Sequence, residues 1–476
     1  MHEFTHQPFS LANKKDPSLL YQSIKAVLQK FLQEKFHSAF LPVDGQIHDP
    51  TSSALVIDGG QLLQQSPPRE SKKPIKYYAS ELISRFIRIQ FNHHSRIDII
   101  FDSANSKQLK RFIERHSSHS VQYNMNKDSI LPIGEEYNKL LQSNRAVVAR
   151  AVRDSWLKLS SKIPEDNYML VAGPDEKVYL LTANMCAMVN ELTSNHIEAD
   201  TRIFLHVKHI SSFNNFVQVV ILASDTDIIV LAIGFASEYK IKLYVHSSPS
   251  RKKLAKYIDC SLIAQECCDY YKFHPLILIA LHALSGCDTT SFIRNISKQK
   301  IFRTFFEKPS DYFDLFDLYK LPTSSESFAS AERLLIKCMN SSLSSLDEVR
   351  TNQAITHLRS KSSEFFLNAL LPTTNAFQYH CKRVSVQCNI WFQSLYQNIE
   401  YPSLIGNGYV LVDDEIKVEW KSTPSMPDTN SIDSDEEDDV NNELQMTNNN
   451  NSISSQDVSS EYEWSDDEDE VTDVRS

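Results

Sequence analysis

Phe216-Val217-Gln218-Val219-Val220-Ile221-Leu222-Ala223-Ser224 is a nearly unbroken apolar run, and it closes on Asp225-Thr226-Asp227. A short run of this kind reads as a strand of a parallel sheet buried on both faces. Two runs upstream repeat the arrangement: Ala54-Leu55-Val56-Ile57 ends on Asp58, and Ile97-Asp98-Ile99-Ile100-Phe101 ends on Asp102. Ligands of open α/β sheets gather beyond the carboxyl ends of the strands, so three strands offer acids to one rim. The fold class that follows is α/β, a parallel central sheet flanked by helices.

Further acids extend the series. Glu198-Ala199-Asp200 opens a helix through Ile203, Val207 and Ile210, whose three- and four-residue steps give one apolar face. Asp225 and Asp227 are read at a strand end, where alternate side chains share a face. Ser285-Gly286-Cys287-Asp288 brings a late acid. Should Asp58, Asp102, Glu198, Asp200, Asp225, Asp227 and Asp288 converge, their mutual repulsion demands cations or protons. Hard oxygen ligands suit two Mg2+ or Mn2+ ions, which keep part of their water shell and use the remaining positions on phosphate oxygens.

The order of these acids resembles the flap endonuclease branch of the PIN-like nuclease superfamily, over roughly residues 54 to 306. That resemblance implies catalytic, metal-holding roles for all seven. It likens Gly286-Cys287-Asp288 and Ile293-Arg294-Asn295-Ile296-Ser297-Lys298 to the family's Gly-x-Asp and helix-two-turn-helix, a duplex-gripping element, with Asn295 and Ser297 standing at its glycines. A second likeness is to uncharacterised, multi-copy, transposon-associated animal proteins that carry Glu-Ala-Asp-Thr-Arg, Asp-Thr-Asp and Gly-Cys-Asp-Thr-Thr, here residues 198–202, 225–227 and 286–290.

Net charge is −11, but residues 428–476 hold 17 acidic side chains against Arg475, which leaves about +5 for the rest of the chain. Local field rather than total charge steers a polyanion. Lys107, Lys110, Arg111 and Arg115 follow Asp102, and Arg294, Lys298 and Lys300 follow Asp288. Both sets are read as contacts to nucleic-acid phosphates.

Residues 1–50 are read as a helical arm around Leu19, Ile24, Leu28, Phe31 and Leu32. The PIN-like domain is read over 51–306, with an insert at about 120–195. A mostly helical extension over 307–427 ends in a hairpin that turns at Asp413-Asp414. The Asn-, Ser-, Asp- and Glu-rich stretch 428–476 has too little apolar surface to offset chain entropy and reads as a disordered acidic tail. The longest apolar stretch, Pro275 to Leu284, is too short to span a membrane, and the N-terminus lacks the pattern of a secretory signal. The eight cysteines show no zinc-knuckle spacing and read as reduced thiols. The expectation is a nuclear or cytoplasmic, metal-dependent nuclease acting on branched or single-stranded DNA or RNA. The alternative is a catalytically inactive, transposon-derived binding module with the same fold. Oligomeric state is not legible.

Overall fold

The computed structural model describes residues 7–22, 26–42, 50–104, 124–247, 256–359 and 370–422. Lys107, Lys110, Arg111, Arg115 and the acidic tail lie outside these residues.

Among the described residues nine strands form one sheet: β1 (Phe40–Pro42), β2 (Ser53–Asp58), β3 (Arg96–Ile100), β4 (Tyr168–Ala172), β5 (Val178–Leu181), β6 (Cys186–Met188), β7 (Gln218–Leu222), β8 (Lys242–Ser247) and β9 (Lys256–Asp259). Their order is β1-β9-β8-β7-β2-β3-β4-β5-β6. The five central strands are parallel, and antiparallel strands close both sides. The expected α/β class is the fold found. The chain runs from β2 to β3 in one direction, and β7 then pairs on the other side of β2. The order reverses at that point, which opens a crevice beyond the strand ends.

The longer α-helices among the described residues are, in chain order, α1 (Ala26–Lys35), α2 (Gly59–Gln65), α3 (Ile75–Leu82), α4 (Gly134–Trp156), α5 (Ala199–Ser211), α6 (Thr226–Phe235), α7 (Cys260–Asp269), α8 (Ile277–Leu284), α9 (Lys298–Glu307), α10 (Ser325–Cys338), α11 (Leu346–Arg359) and α12 (Thr374–Phe392). Alternation along the strands sends side chains into two apolar layers. Leu55 and Ile57 join Leu62, Ile75, Val148 and Trp156 on one face. Ala54 and Val56 join Ile203, Ile229, Ile279, Phe302 and Trp391 on the other. Coverage of both faces is why the central strands read as continuous apolar runs. Asp98, the one acid inside such a run, is sealed by Arg96 at 2.8 and 2.7 Å and by His206 Nδ1 at 2.6 Å.

Several expectations meet a different arrangement. The described part of the helical arm is Ala26–Lys35, and Ile24 lies outside the described residues. Leu19 lies in turns where Asn13 Oδ1 accepts from Lys15 N at 2.9 Å and Asp16 Oδ1 from Ser18 N at 3.0 Å, side-chain bonds that compete with a helix. Residues 168–188, within the stretch read as an insert, supply β4 to β6, so this stretch completes the central sheet. The helices beyond residue 306 share the second apolar layer: α12 packs on α8, which packs on α6. The described chain to residue 422 falls within one compact unit. The terminal hairpin, β10 (Tyr409–Val412) with β11 (Glu415–Val418), turns at Asp413 and Asp414 with φ of +53° and +59°.

Candidate metal centre

Asp58 ends β2 and caps α2, its Oδ1 accepting from Gly60 N at 2.8 Å and Gln61 N at 3.2 Å. Asp102 follows β3 by two residues and accepts from Ala199 N at 2.9 Å. That bond fastens the end of β3 to the start of α5, so Glu198 and Asp200 arrive at the same rim. Asp225 caps α6 and accepts from Asp227 N at 3.0 Å. The pair, read at a strand end, belongs to the helix that follows: β7 stops at Leu222, and Asp225 opens the helix because aspartate at a helix start satisfies unpaired N–H groups. Ser224 N donates to Gln61 Oε1 at 2.7 Å, holding the β7 end against α2.

One ligand oxygen from each of Asp200, Asp225 and Asp227 lies within 4.8 Å of the others. Two unit charges at that spacing repel by roughly 3.5 kcal/mol at an effective dielectric near 20. Three such pairs rival the ~5 to 15 kcal/mol that stabilises a domain. The carboxyl groups register this cost. Burial pushes Asp200 well above the usual carboxylate range, and the charges of Asp225, Glu198, Asp227 and Asp58 add to the shift. Burial, then the charge of Asp102, pushes Asp58 up to about 6, against the pull of two backbone N–H groups and Arg145. Six of the seven acids thus share one electrostatic neighbourhood. Asp288 is tied to it through a chain neighbour. Its neighbour Cys287 has a thiol raised by burial and by the charge of Asp227, while its own carbonyl accepts from Gln22 Nε2 at 3.3 Å. Gly286, at φ +102°, makes this turn, and a β-carbon there would sit 2.8 Å from the Phe292 backbone. The all-oxygen donor set, crowded beyond what its own charge tolerates, fits a hard divalent cation.

Three side chains at the site escaped the sequence reading in this role. Arg145, on α4 beside a break in helical geometry at Asn144, places Nη1 3.7 Å from Asp102 Oδ2. A β-carbon at Gly60 would lie 3.3 Å from that nitrogen, so the glycine leaves room for the guanidinium over the start of α2. His282 Nε2 lies 2.8 Å from Asp227 Oδ1. Lys298 Nζ lies 3.0 Å from His282 Nδ1 and donates to His282 O at 2.9 Å and Ser285 Oγ at 2.8 Å. A histidine inside the otherwise apolar run 275–284 was the available signal, since a buried imidazole needs partners.

The basic residues after Asp288 are largely internal. Lys298 is 1% exposed and Arg294 5% exposed, which removes both from any phosphate-facing surface. The N-terminal turns cover this loop: Phe292 N donates to Tyr21 O at 2.7 Å, and Arg294 N to Ser10 O at 2.9 Å. The Arg294 guanidinium donates to Ala12 O at 3.1 Å and stacks on Tyr21. Asn295 takes the left-handed conformation, φ +66°, which asparagine tolerates better than most residues. Lys300 is exposed.

No family model and no curated protein matches this chain. Among solved structures it is similar to the flap endonuclease of bacteriophage T5 in a pseudo-enzyme-product complex with DNA and metal ions. The identity is 12% and the TM-score 0.32, over 70% of this chain and 99% of that one. A structure of the T5 protein co-crystallised with metal ions gives 13% and 0.31 over the same shares. The catalytic core of Rad2 in complex with DNA substrate gives 12% and 0.32, over 65% of this chain and 93% of that one. Superpositions of that quality leave the activity to be read from the chain's own residues.

Proposed function

We propose that this chain is a divalent-metal-dependent nuclease that hydrolyses phosphodiesters of DNA or RNA at branched or single-stranded features. The observation that carries this reading is the convergence of Asp200, Asp225 and Asp227, with Asp58, Asp102 and Glu198 in their field, at the crevice where the strand order reverses. In this reading Asp200, Asp225 and Asp227 would hold one Mg2+ or Mn2+ ion, and Asp58, Asp102, Glu198 and Asp288 would complete the ligands of two. Bound divalent ions supply Lewis acidity to a phosphate oxygen and lower the pKa of water.

The protein's own contribution is placement. Backbone N–H groups and Arg145 fix Asp58 and Asp102 so that their oxygens are directed before substrate arrives. Arg145, with a side chain 44% exposed, is free of the apolar layers at its tip and suited to a phosphate oxygen whose negative charge grows during the reaction. Lys300 and the basic run of Lys107, Lys110, Arg111 and Arg115 would attract the flanking backbone. No side-chain nucleophile is needed, and Cys287, buried with its sulfur near Thr289 and Thr290, is a packing residue. The protein acts in the nucleus or cytoplasm, in keeping with eight free cysteines.

Purified protein with Mg2+ or Mn2+ is expected to cut flap or hairpin substrates, and Asp225→Asn with Asp227→Asn to be inert. Cleavage by that double variant at the unmodified rate would refute the reading.

A further inference from the structure

A buried polar chain runs from the acidic centre into the protein interior: Asp227 Oδ1, His282 Nε2, His282 Nδ1, Lys298 Nζ. Its links measure 2.8 and 3.0 Å. Asp227, His282 and Lys298 are 4%, 0% and 1% exposed. Water therefore competes for none of these bonds. The flank is packed by the indole of Trp391, stacked on the imidazole with centroids 5.9 Å apart. Charged or polar groups in such surroundings are costly to bury unless every hydrogen-bonding position is used. Lys298 Nζ meets His282 Nδ1, His282 O and Ser285 Oγ.

With Lys298 as an ammonium, chemistry sets the direction of the chain. A lysine ammonium carries donors only, so Nδ1 of His282 must accept. The ring proton then resides on Nε2 and points at Asp227 Oδ1. That oxygen is occupied by a donor from inside the protein. Asp227 is also held at its backbone, whose N–H donates to Asp225 Oδ1. Both ends of the residue are thus set by neighbours. Residues that orient a metal ligand through a hydrogen bond commonly change metal affinity by about 10- to 100-fold when removed.

We infer that His282, with its tautomer set by Lys298, is a positioning residue that holds Oδ1 of Asp227 and so fixes the orientation in which this carboxylate meets a divalent ion. The inference rests on the reading of Asp227 as a metal-holding residue. It assigns Lys298 an internal task in place of the nucleic-acid contact that its position in the sequence suggests. It also gives α9 a part in the site, because Ser297 caps that helix, accepting from Lys300 N at 3.1 Å, and sets Lys298 as its first residue.

Two substitutions separate positioning from packing. The amide of His282→Gln reaches the place of Nε2 and retains a donor to Asp227. The amide of His282→Asn is shorter, overlays Nδ1, keeps an acceptor for Lys298 and offers nothing to Asp227. Calorimetric titration of Mn2+ into the metal-free full chain is expected to show affinity within about threefold of wild type for His282→Gln. For His282→Asn it is expected to be about 10- to 100-fold weaker. Equal affinities for the two variants, whether both normal or both weakened, would overturn the inference and leave the metal centre standing. Absence of Mn2+ binding by the wild type would overturn both. Long-range nitrogen–proton correlation spectra of the wild-type, metal-free protein with labelled histidine give a check independent of any variant's folding. His282 is expected to carry its proton on Nε2, and a proton on Nδ1 would overturn the lock.

Discussion

Asp102 accepts a hydrogen bond from the backbone of Ala199, 2.9 Å away and 97 residues further along the chain. The bond does two things at once. It satisfies one of the N–H groups left open at the start of α5, and it sets Glu198 and Asp200 beside acids delivered by the ends of β2, β3 and β7. A half-buried cluster of like charges is held in place because backbone N–H groups anchor Asp58, Asp102 and Asp225 and His282 anchors Asp227, and the repulsion among them is left for a cation to offset.

Removal of one charge should therefore stabilise the metal-free protein. Asp200→Asn is expected to raise the unfolding midpoint in the presence of a chelator and to abolish the stabilisation that Mn2+ gives the wild type. Trade of this kind between stability and function is common at active sites. Thermal unfolding with chelator and with Mn2+ checks both halves, and a lower midpoint in chelator contradicts the account.

The pH dependence carries a definite sign. Burial and Asp102 push Asp58 up to about 6, so the folded state binds this proton more tightly than the unfolded chain does. The resulting stability is fully present below about pH 4 and is lost as pH rises through about 6, by roughly 2 to 3 kcal/mol. Asp200, also raised, acts in the same direction. His94 and His380, each lowered to about 3 by burial, act oppositely, with stability present above about pH 6.5 and lost on acidification. The difference between wild type and Asp58→Asn isolates the carboxyl, because asparagine caps a helix as well as aspartate. Denaturant unfolding in chelator should show the variant gaining on the wild type between about pH 4 and 7; a gap that does not change with pH sinks this assignment.

Arg145 should matter to turnover and little to stability. Its ion pair with Asp102, at 3.7 Å and half in solvent, is worth at most about 1 kcal/mol. Arg145→Ala is expected to slow cleavage by about 100- to 1,000-fold, with Arg145→Lys recovering part of the loss. Single-turnover kinetics would register this, and an unaffected rate would remove Arg145 from the reaction.

The helices beyond residue 306 should be inseparable from the sheet. Trp391 is 2% exposed in the layer shared with Ile229 and Ile279, and Trp391→Ala is expected to cost about 3 to 5 kcal/mol. A chain ending at residue 306 should bind a hydrophobic dye and lack a cooperative transition. A sharply melting, soluble fragment would instead establish a domain boundary there.

The contrast between what the sequence disclosed and what it hid has a physical basis. Strands β2, β3 and β7 were legible because burial on both faces leaves an unbroken apolar run, and the acids at their ends stood out against it. β4 to β6 were hidden within a stretch dominated by the long α4, whose helical period masks short strands nearby. The burial of Arg294 and Lys298 was hidden for another reason. A basic side chain reads as surface until its partners are known, and those partners, Ala12, Tyr21 and His282, are not its sequence neighbours. Asp225 to Asp227 look alike whether they end a strand or begin a helix, because aspartate suits both places.

Crystals grown or soaked with Mn2+ and measured for its anomalous scattering address the central claim most directly. The account expects a peak bounded by oxygens of Asp200, Asp225 and Asp227, lost in the Asp225→Asn, Asp227→Asn double variant. Mn2+ found only elsewhere on the molecule, with those three carboxylates bound to nothing but each other and water, would contradict it.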